Sequence, residues 1–260
     1  MKLSGSEIII ESLKKEGVDY IFGYPGGAVL HIYDALFAAK DIKHVLVRHE
    51  QGATHAADGY ARACNKPGVV LVTSGPGITN CVTGIATAHM DSIPMIVISG
   101  QVSRQYVGSD AFQEADATGI TRPICKHNFL INDRESIADT FRKAFIIATT
   151  GRPGPVIIDI PKDLTDPNVK IDFEYKKNIK IRSYKIKTNE DDNKIEEAAK
   201  ILCSAKKPMI YAGGGVILSK ASKELIKLTK LLNYPITNTL MGLGAYPSSD
   251  NQFLGMLGMH

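Results

Sequence analysis

Glu50 is the first residue in this chain with both the type and the place for chemistry. It closes the segment His44-Val45-Leu46-Val47-Arg48-His49-Glu50, whose first half is apolar and β-branched like a short buried strand. The residues that follow, Gln51-Gly52-Ala53-Thr54-His55-Ala56-Ala57, have the small side chains of a closely packed helix. A carboxylate at the carboxyl end of a strand, where a helix begins, stands in the crevice where open α/β sheets bind ligands. The same charge complements a helix dipole. From this segment alone the dipole reading leads, because acids are ordinary in a first helical turn.

Three glycine-rich turns follow apolar runs in the same way, at 23–27, 75–77 and 213–215. Glycine lets the backbone approach a ligand closely, and the N–H groups of a helix start suit anions or carbonyl-like oxygens. A tight βα turn is the plainer account of each. None is a G-x-G-x-x-G: Gly213-Gly214-Gly215-Val216-Ile217-Leu218 has Leu218 at the sixth place, which makes a weak dinucleotide fingerprint. The seven histidines form no metal constellation. The acids of Asp110-Ala111-Phe112-Gln113-Glu114-Ala115-Asp116 do not have the spacing of a calcium loop, and a solvated loop is the simpler reading. Four cysteines, at 64, 81, 125 and 203, lack any C-x-x-C spacing. That argues against zinc and a disulfide framework, and fits a reduced, cytoplasmic setting.

The elements that must position these groups alternate along the chain. Strands are expected at 20–23, before Glu50, and at 68–73, 94–99 and 155–161. Helices are expected at 4–16, 28–39, after Glu50, from the Ser74–Gly77 turn to about Met90, and at 136–149. Continuous apolar strands alternating with helices predict an α/β fold, a parallel sheet flanked by helices on both faces. The lysine-rich stretch 166–190 reads as a linker with room for one edge strand. A second α/β unit starts at 191, with helices over 191–204 and 219–233 and strands over 207–212 and 235–239. Two strands are fewer than a stable sheet usually has, so the glycine-rich end is expected to be the cut edge of a longer polypeptide. Across 260 residues, 44% hydrophobic and 22% charged, the composition is that of an ordinary globular protein. A net charge of +4 is too mild to argue for nucleic acid, and no apolar run is long enough to span a membrane. The start carries neither a signal core nor a transit segment.

Taken jointly, the motifs resemble one family. They are Phe22-Gly23-Tyr24-Pro25-Gly26-Gly27-Ala28, Arg48-His49-Glu50-Gln51-Gly52-Ala53, Thr73-Ser74-Gly75-Pro76-Gly77-Ile78-Thr79-Asn80, Asp110–Asp116, Gly151-Arg152-Pro153-Gly154-Pro155-Val156 and Asp159-Ile160-Pro161-Lys162-Asp163. The second unit adds Gly213–Gly215, Thr239-Leu240-Met241-Gly242-Leu243-Gly244 and Met256-Leu257-Gly258-Met259-His260. In this order and spacing the chain resembles the amino-terminal portion of the large subunit of thiamine-diphosphate-dependent acetohydroxyacid (acetolactate) synthases. The Glu50 and Gly-Pro-Gly segments resemble many thiamine-diphosphate enzymes. The Phe-Gln-Glu-Ala-Asp and Pro-Lys-Asp segments point more narrowly to the synthase.

The resemblance implies a pyrimidine-binding domain over 1–165 and, over 191–260, the start of a Rossmann-like central domain that binds FAD. Glu50 would hold a ring nitrogen of the cofactor's aminopyrimidine. Tyr24, Thr73, Pro76 and Asn80 would line the cofactor, Gln113 would reach the reaction centre, and Gly27 would bring backbone close to the reacting group. Phe112 and Lys162 would shape the substrate channel. Arg152, Gly213, Gly214, Gly215, Thr239, Leu240, Met259 and His260 match flavin-holding positions. The reaction implied is decarboxylation of pyruvate and transfer of its two-carbon unit to pyruvate or 2-ketobutyrate, which opens branched-chain amino acid synthesis. The Gly-Asp-Gly…Asn signature that anchors Mg²⁺ and the diphosphate is absent, so these 260 residues by themselves are expected to be inactive. The pyrimidine domain would face the diphosphate domain of a partner subunit in a homodimer or larger assembly, with a regulatory small subunit as a further partner. His31 and Ser103 stand where many members have proline, which bears on the channel entrance. Two alternatives stay open: a sibling enzyme such as a pyruvate oxidase or another 2-keto acid carboligase or decarboxylase, and a non-catalytic cofactor-binding module.

Overall fold

The computed structural model describes residues 1–182, 184–185 and 191–259. It divides the chain into two compact units, Met1–Lys187 and Thr188–His260. Unit 1 runs β1 (Lys2–Ser4), α1 (Gly5–Lys15), β2 (Tyr20–Gly23), α2 (Leu30–Ala38), β3 (Lys43–Leu46), α3 (Glu50–Cys64), β4 (Gly68–Val72), α4 (Pro76–Thr79), α5 (Val82–Met90), β5 (Met95–Gln101), α6 (Ala117–Thr121), β6 (His127–Leu130), α7 (Ile137–Thr149), β7 (Pro155–Pro161) and β8 (Lys170–Asp172).

Six of these strands form one parallel sheet in the order β3-β2-β4-β5-β7-β6. Strands β4, β5 and β7 are buried along their whole length, as their unbroken apolar runs require when both faces are covered. On one face α1, α2 and α7 pack through Ile8, Ile9, Leu13, Ile32, Leu36 and Phe141 onto Ile96, Ile98, Ile158 and Ile160. On the other, α3, α5 and α6 pack through Ala53, Ala57, Ile85 and Ala117 onto Val70, Val72, Val97 and Ile157. The helix entered through β1 carries a full capping box: the Glu7 amide donates to Ser4 Oγ, and the Ser4 amide donates to the Glu7 carboxylate.

Strands β2 and β4 are neighbours, yet the chain leaves them in opposite directions. It departs β2 through α2 on one face to the edge strand β3, and departs β4 through α5 on the other face to β5. Their carboxyl ends therefore flank a topological switch point, and the loop before α3 delivers Glu50 beside it.

β1, α6 and a third strand in the second unit, over Phe253–Met256 where two were expected, add to the sequence reading, and other elements differ from it. The helix expected from Gly77 to Met90 is broken at Asn80–Cys81, where the Cys81 amide turns to the carbonyl of Ile78, three residues back. Strand β6 was not legible, since His127-Asn128-Phe129-Leu130 has no continuous apolar run; among the described residues it is an edge strand that pairs only with β7. The lysine-rich segment lies on unit 1 over its described residues. β8 pairs antiparallel with β1, and Ile171, Phe173, Tyr175, Ile181 and Tyr184 pack against the first core. Arg142 grips both oxygens of Glu16 at 3.0 Å, and Tyr175 donates a short hydrogen bond to the same carboxylate. The alternation of Ile171, Phe173 and Tyr175 supplies an apolar edge that the lysines mask in composition.

Unit 2 contains α8 (Asp192–Ser204), β9 (Ile210–Ala212), α9 (Gly215–Leu218), α10 (Ser222–Leu232), β10 (Ile236–Asn238) and β11 (Phe253–Met256). Its three parallel strands run in the order β11-β10-β9 around a small core of Ala212, Ile236 and Tyr246. Among the described residues no helix is long and apolar enough to cross a membrane.

Helix α3 lies close to the sheet because its inner face is Ala53, Ala57 and Ala61, all buried. Ala57→Leu should overpack this seam and lower unfolding free energy by about 1–3 kcal/mol. Denaturant melts compared with wild type check this, and an unchanged midpoint would mean that the seam is slack.

Candidate active site at the carboxyl end of the unit 1 sheet

Glu50 is the first residue of α3 and is nearly buried, 9% exposed. His49 caps the helix by accepting from the Gln51 amide through Nδ1 at 3.2 Å, so the helix start is satisfied without the Glu50 side chain. That frees the carboxylate, which instead accepts a hydrogen bond from Asn80 Nδ2 at 2.9 Å on Oε2. The break between α4 and α5 is what brings Asn80 there. The packing around Glu50 shows in its neighbours. Burial, with the Glu50 charge second, pushes both the Tyr33 hydroxyl and the Cys81 thiol well above their ordinary pKa values. Tyr33 donates to the Leu71 carbonyl at 3.1 Å and meets His44 Nε2 at 3.3 Å, and burial lowers the pKa of His44. The Glu50 carboxylate is thus nearly buried at the switch point and bonded to the Asn80 side chain.

Across the crevice the β2 and β4 loops are tied together: the Ala28 amide donates to Thr73 Oγ1 at 3.3 Å. Tyr24 follows β2, with its amide on the Leu71 carbonyl, and its ring is exposed at the rim. Pro76 opens α4 at the N1 position, where its missing N–H costs nothing. A Cβ on Gly27 would meet no heavy atom within 4 Å, so the backbone there faces open space. Gly75 sits at φ +57°, and a Cβ on it would stand 2.5 Å from the Gln113 carbonyl oxygen. The loop carrying Gln113 therefore rests directly on the Gly75 turn. Gln113 itself has φ +58°, a left-handed backbone that costs energy in a non-glycine residue and is held by its surroundings. Its side chain and that of Phe112 are exposed toward solvent, and Glu114 pins the loop by accepting from the Ala111 amide at 3.0 Å and from the Gly108 amide. Lys162 follows β7 in a short 3-10 turn.

Tyr24, Gly27, Glu50, Thr73, Pro76, Asn80, Gln113 and Lys162 thus all lie on the carboxyl edge of one sheet. Arg152 does not. It precedes β7 at the opposite edge, where its guanidinium donates to Ser92 Oγ at 2.7 Å and to the Met90 carbonyl at 3.3 Å.

In unit 2, Gly213–Gly215 and Thr239–Leu240 follow β9 and β10, again at carboxyl ends. The Thr239 amide donates to the Ala212 carbonyl at 3.0 Å, and its Oγ1 accepts from the Gly242 amide at 3.0 Å. Buried Asn238 leaves Oδ1 without a protein partner beside this rim. Met259 is exposed, and His260 lies outside the described residues. Among the described residues no three His, Cys, Asp or Glu side chains are grouped to hold a metal ion.

Sequence reasoning missed two buried polar residues under the crevice, Gln101 and Asp159. Strand alternation puts Ser99, Gln101 and Asp159 on the face that Val97 and Ile157 cover lower down. Asp159 is 2% exposed, and burial pushes its pKa up to about 7, with the charge of Asp116 adding to the effect. The signal was a lone acid inside Val156-Ile157-Ile158-Asp159-Ile160, an apolar run that otherwise reads as core.

Two family models match the chain. Residues 3–120 match "Thiamine pyrophosphate enzyme, N-terminal TPP binding domain", and residues 195–260 match the central domain of the same enzymes. The chain is 57% identical over 259 residues to the acetolactate synthase large subunit of Haemophilus influenzae, covering 100% of this chain and 45% of that protein. It is 52% identical over 258 residues to the acetolactate synthase isozyme 3 large subunit of Escherichia coli, covering 99% and 45%. To the probable acetolactate synthase large subunit of Methanocaldococcus jannaschii it is 52% identical over 259 residues, covering 99% and 44%. The chain thus spans about half the length of the relatives it matches.

A carboxyl group with a raised folded pKa stabilises the fold fully below its unfolded pKa and loses that contribution as pH rises through the folded value. For Asp159 the window runs from about pH 4 to about pH 7. Asp159→Asn does not titrate. Its melting temperature relative to wild type should therefore climb across this window and level off above it, and a difference independent of pH would show that Asp159 is not the titrating group.

Proposed function

Because the chain belongs to the thiamine pyrophosphate enzyme family, we propose that the whole protein is an acetolactate synthase. In that reaction the C1–C2 bond of one pyruvate breaks, CO₂ leaves, and the two-carbon remainder joins the keto carbon of a second pyruvate or of 2-ketobutyrate. Thiamine diphosphate, when bound, supplies the electron sink for this cleavage. The residues of the unit 1 crevice suit its aminopyrimidine end. Glu50 would hold a ring nitrogen while Asn80 fixes the carboxylate through Oε2. The neighbouring apolar and buried groups exclude water from that contact, which strengthens it. Thr73 and Pro76 form the floor, Tyr24 the rim, and the open space over Gly27 leaves room for a ligand against backbone. Gln113 and Phe112 overhang the same edge and would meet a keto acid, and Lys162 would stand at the mouth. The observation that carries this reading is the Glu50–Asn80 pair at the switch point of the sheet.

The carboxyl-end rim of unit 2 fits a flavin in the same terms: small residues at 213–215, the Thr239–Leu240 turn, and the unpartnered Asn238 oxygen beside it. Met259 joins that set in this reading. Mg²⁺ and the diphosphate would be held by residues beyond these 260, and the exposed rim made by Tyr24 and Phe112 would be covered by a partner subunit. A regulatory small subunit is a further partner in this proposal.

Acetolactate formation from pyruvate by the whole protein, with thiamine diphosphate, Mg²⁺ and FAD, tests the proposal. Glu50→Gln should lower turnover by about 10²- to 10⁴-fold with the fold retained. No acetolactate from the wild type, with acetate or acetyl phosphate instead, would move the assignment to a sibling enzyme. For the flavin, a Cβ on Gly214 would stand 3.1 Å from Met241 Cβ. Gly214→Val should lower flavin occupancy, read from absorbance of the purified protein, and full occupancy would mean that the turn is only structural.

A further inference from the structure

Gln101 is 4% exposed and its amide is fully committed. Nε2 donates to Asp159 Oδ2 at 3.0 Å and to the Ala115 carbonyl at 2.9 Å, while Oε1 accepts from the Val102 amide at 2.8 Å. One side chain therefore grips both ends of the segment that leaves β5 and returns at α6, and that segment carries Phe112 and Gln113. The Val102 amide and the Ala115 carbonyl set which way round the amide lies, and the acceptor on the β7 side takes the second Nε2 hydrogen and ties the clamp to the neighbouring strand. Asp159 is that acceptor: it pairs with Ser99 in the β5–β7 register and is 2% exposed. Its Oδ1 is buried without a hydrogen-bond partner, so Oδ2 carries the bond to Gln101. Burying a carboxyl whose side-chain partners are Gln101 first and Ser99 second is costly unless those bonds are needed.

We propose that Asp159 is a positioning residue which, by tying Gln101 to the neighbouring strand, anchors the 102–116 segment and sets Gln113 against the Gly75 turn. The step from anchored loop to reaction rests on the role of Gln113 proposed above; the anchoring does not. The geometry explains why Gln113 keeps a left-handed backbone: one end of its loop is tied to the sheet through Ala115, and its carbonyl is stacked on Gly75, where any side chain would intrude.

The first arm is independent of the activity. Hydrogen exchange of the whole protein is measured for wild type, Asp159→Leu, Gln101→Met and Asp159→Asn, each first shown to unfold cooperatively. Losing the anchor should speed exchange over 102–117 by roughly tenfold in the Leu and Met variants, the scale of one buried hydrogen bond, with β4 peptides unchanged. Asp159→Asn keeps an acceptor for Gln101 and should exchange like wild type. Two apolar variants at different positions guard against one failing to fold, and wild-type exchange in either would overturn the proposal. The second arm uses the whole protein and a double-mutant cycle on acetolactate turnover. Asp159→Leu should lower kcat about tenfold or more beside Gln113 and have little further effect beside Gln113→Ala, because residues that act through one another are not additive. Additive losses would overturn the link to Gln113. If the wild type makes no acetolactate, the proposed function falls while the exchange result still decides the anchor.

Discussion

A parallel strand can be followed only by a crossover, and in this sheet the crossovers after β2 and β4 leave on opposite faces. That constraint opens the crevice on which the rest of the site depends. Two strand ends diverge, their loops cannot fill the gap between them, and a ligand can lie against backbone there. The hydrogen bond from Ala28 to Thr73 ties together the two loops that border the opening. The close seam of Ala53, Ala57 and Ala61 brings α3 in so that its first residue, Glu50, stands at the wall and not out in solvent.

The second constraint is polar satisfaction. Below the crevice, each sheet face is a continuous apolar layer. At the carboxyl edge the layer ends in Ser99, Gln101 and Asp159 on β5 and β7, and in Glu50 and Asn80 at the helix starts. Each of these is buried or partly buried and bonded, so the edge is built from interlocking polar pairs and not from packing alone. Such pairs hold loops in a single arrangement, which a reaction needing placed groups requires. The left-handed backbone at Gln113 and the positive φ of Gly75 are the local expense of that placement.

Unit 2 repeats the logic on a smaller scale. Its three strands also present loops at their carboxyl ends, and Thr239 closes the β10 turn by accepting from Gly242 while its own amide reaches across to β9. The helices α8 and α10 leave Ile195, Ile201 and Leu231 exposed, as a three-stranded sheet has too little surface to cover them.

The amino-acid sequence by itself determined the alternation of strands and helices, the parallel sheet, and the glycine-rich turns, because uninterrupted apolar runs and small-residue helices have few other ways to be buried. It also singled out Glu50, Thr73, Pro76, Asn80 and Gln113 as residues of one family pattern. It did not show that His49 caps α3 and so releases Glu50 from that duty, nor that a break after Thr79 turns Asn80 onto the carboxylate, since one misplaced hydrogen bond in a helix leaves the apolar period intact. β6 stayed hidden because an edge strand pairs on one side and needs no continuous apolar run. The 170–185 segment looked solvated because composition weighs its lysines above the alternating residues that dock it. Gln101 and Asp159 meet across a separation of 58 residues, and only the register of β5 on β7 decides that a glutamine and an aspartate in two apolar runs share one face and one hydrogen bond.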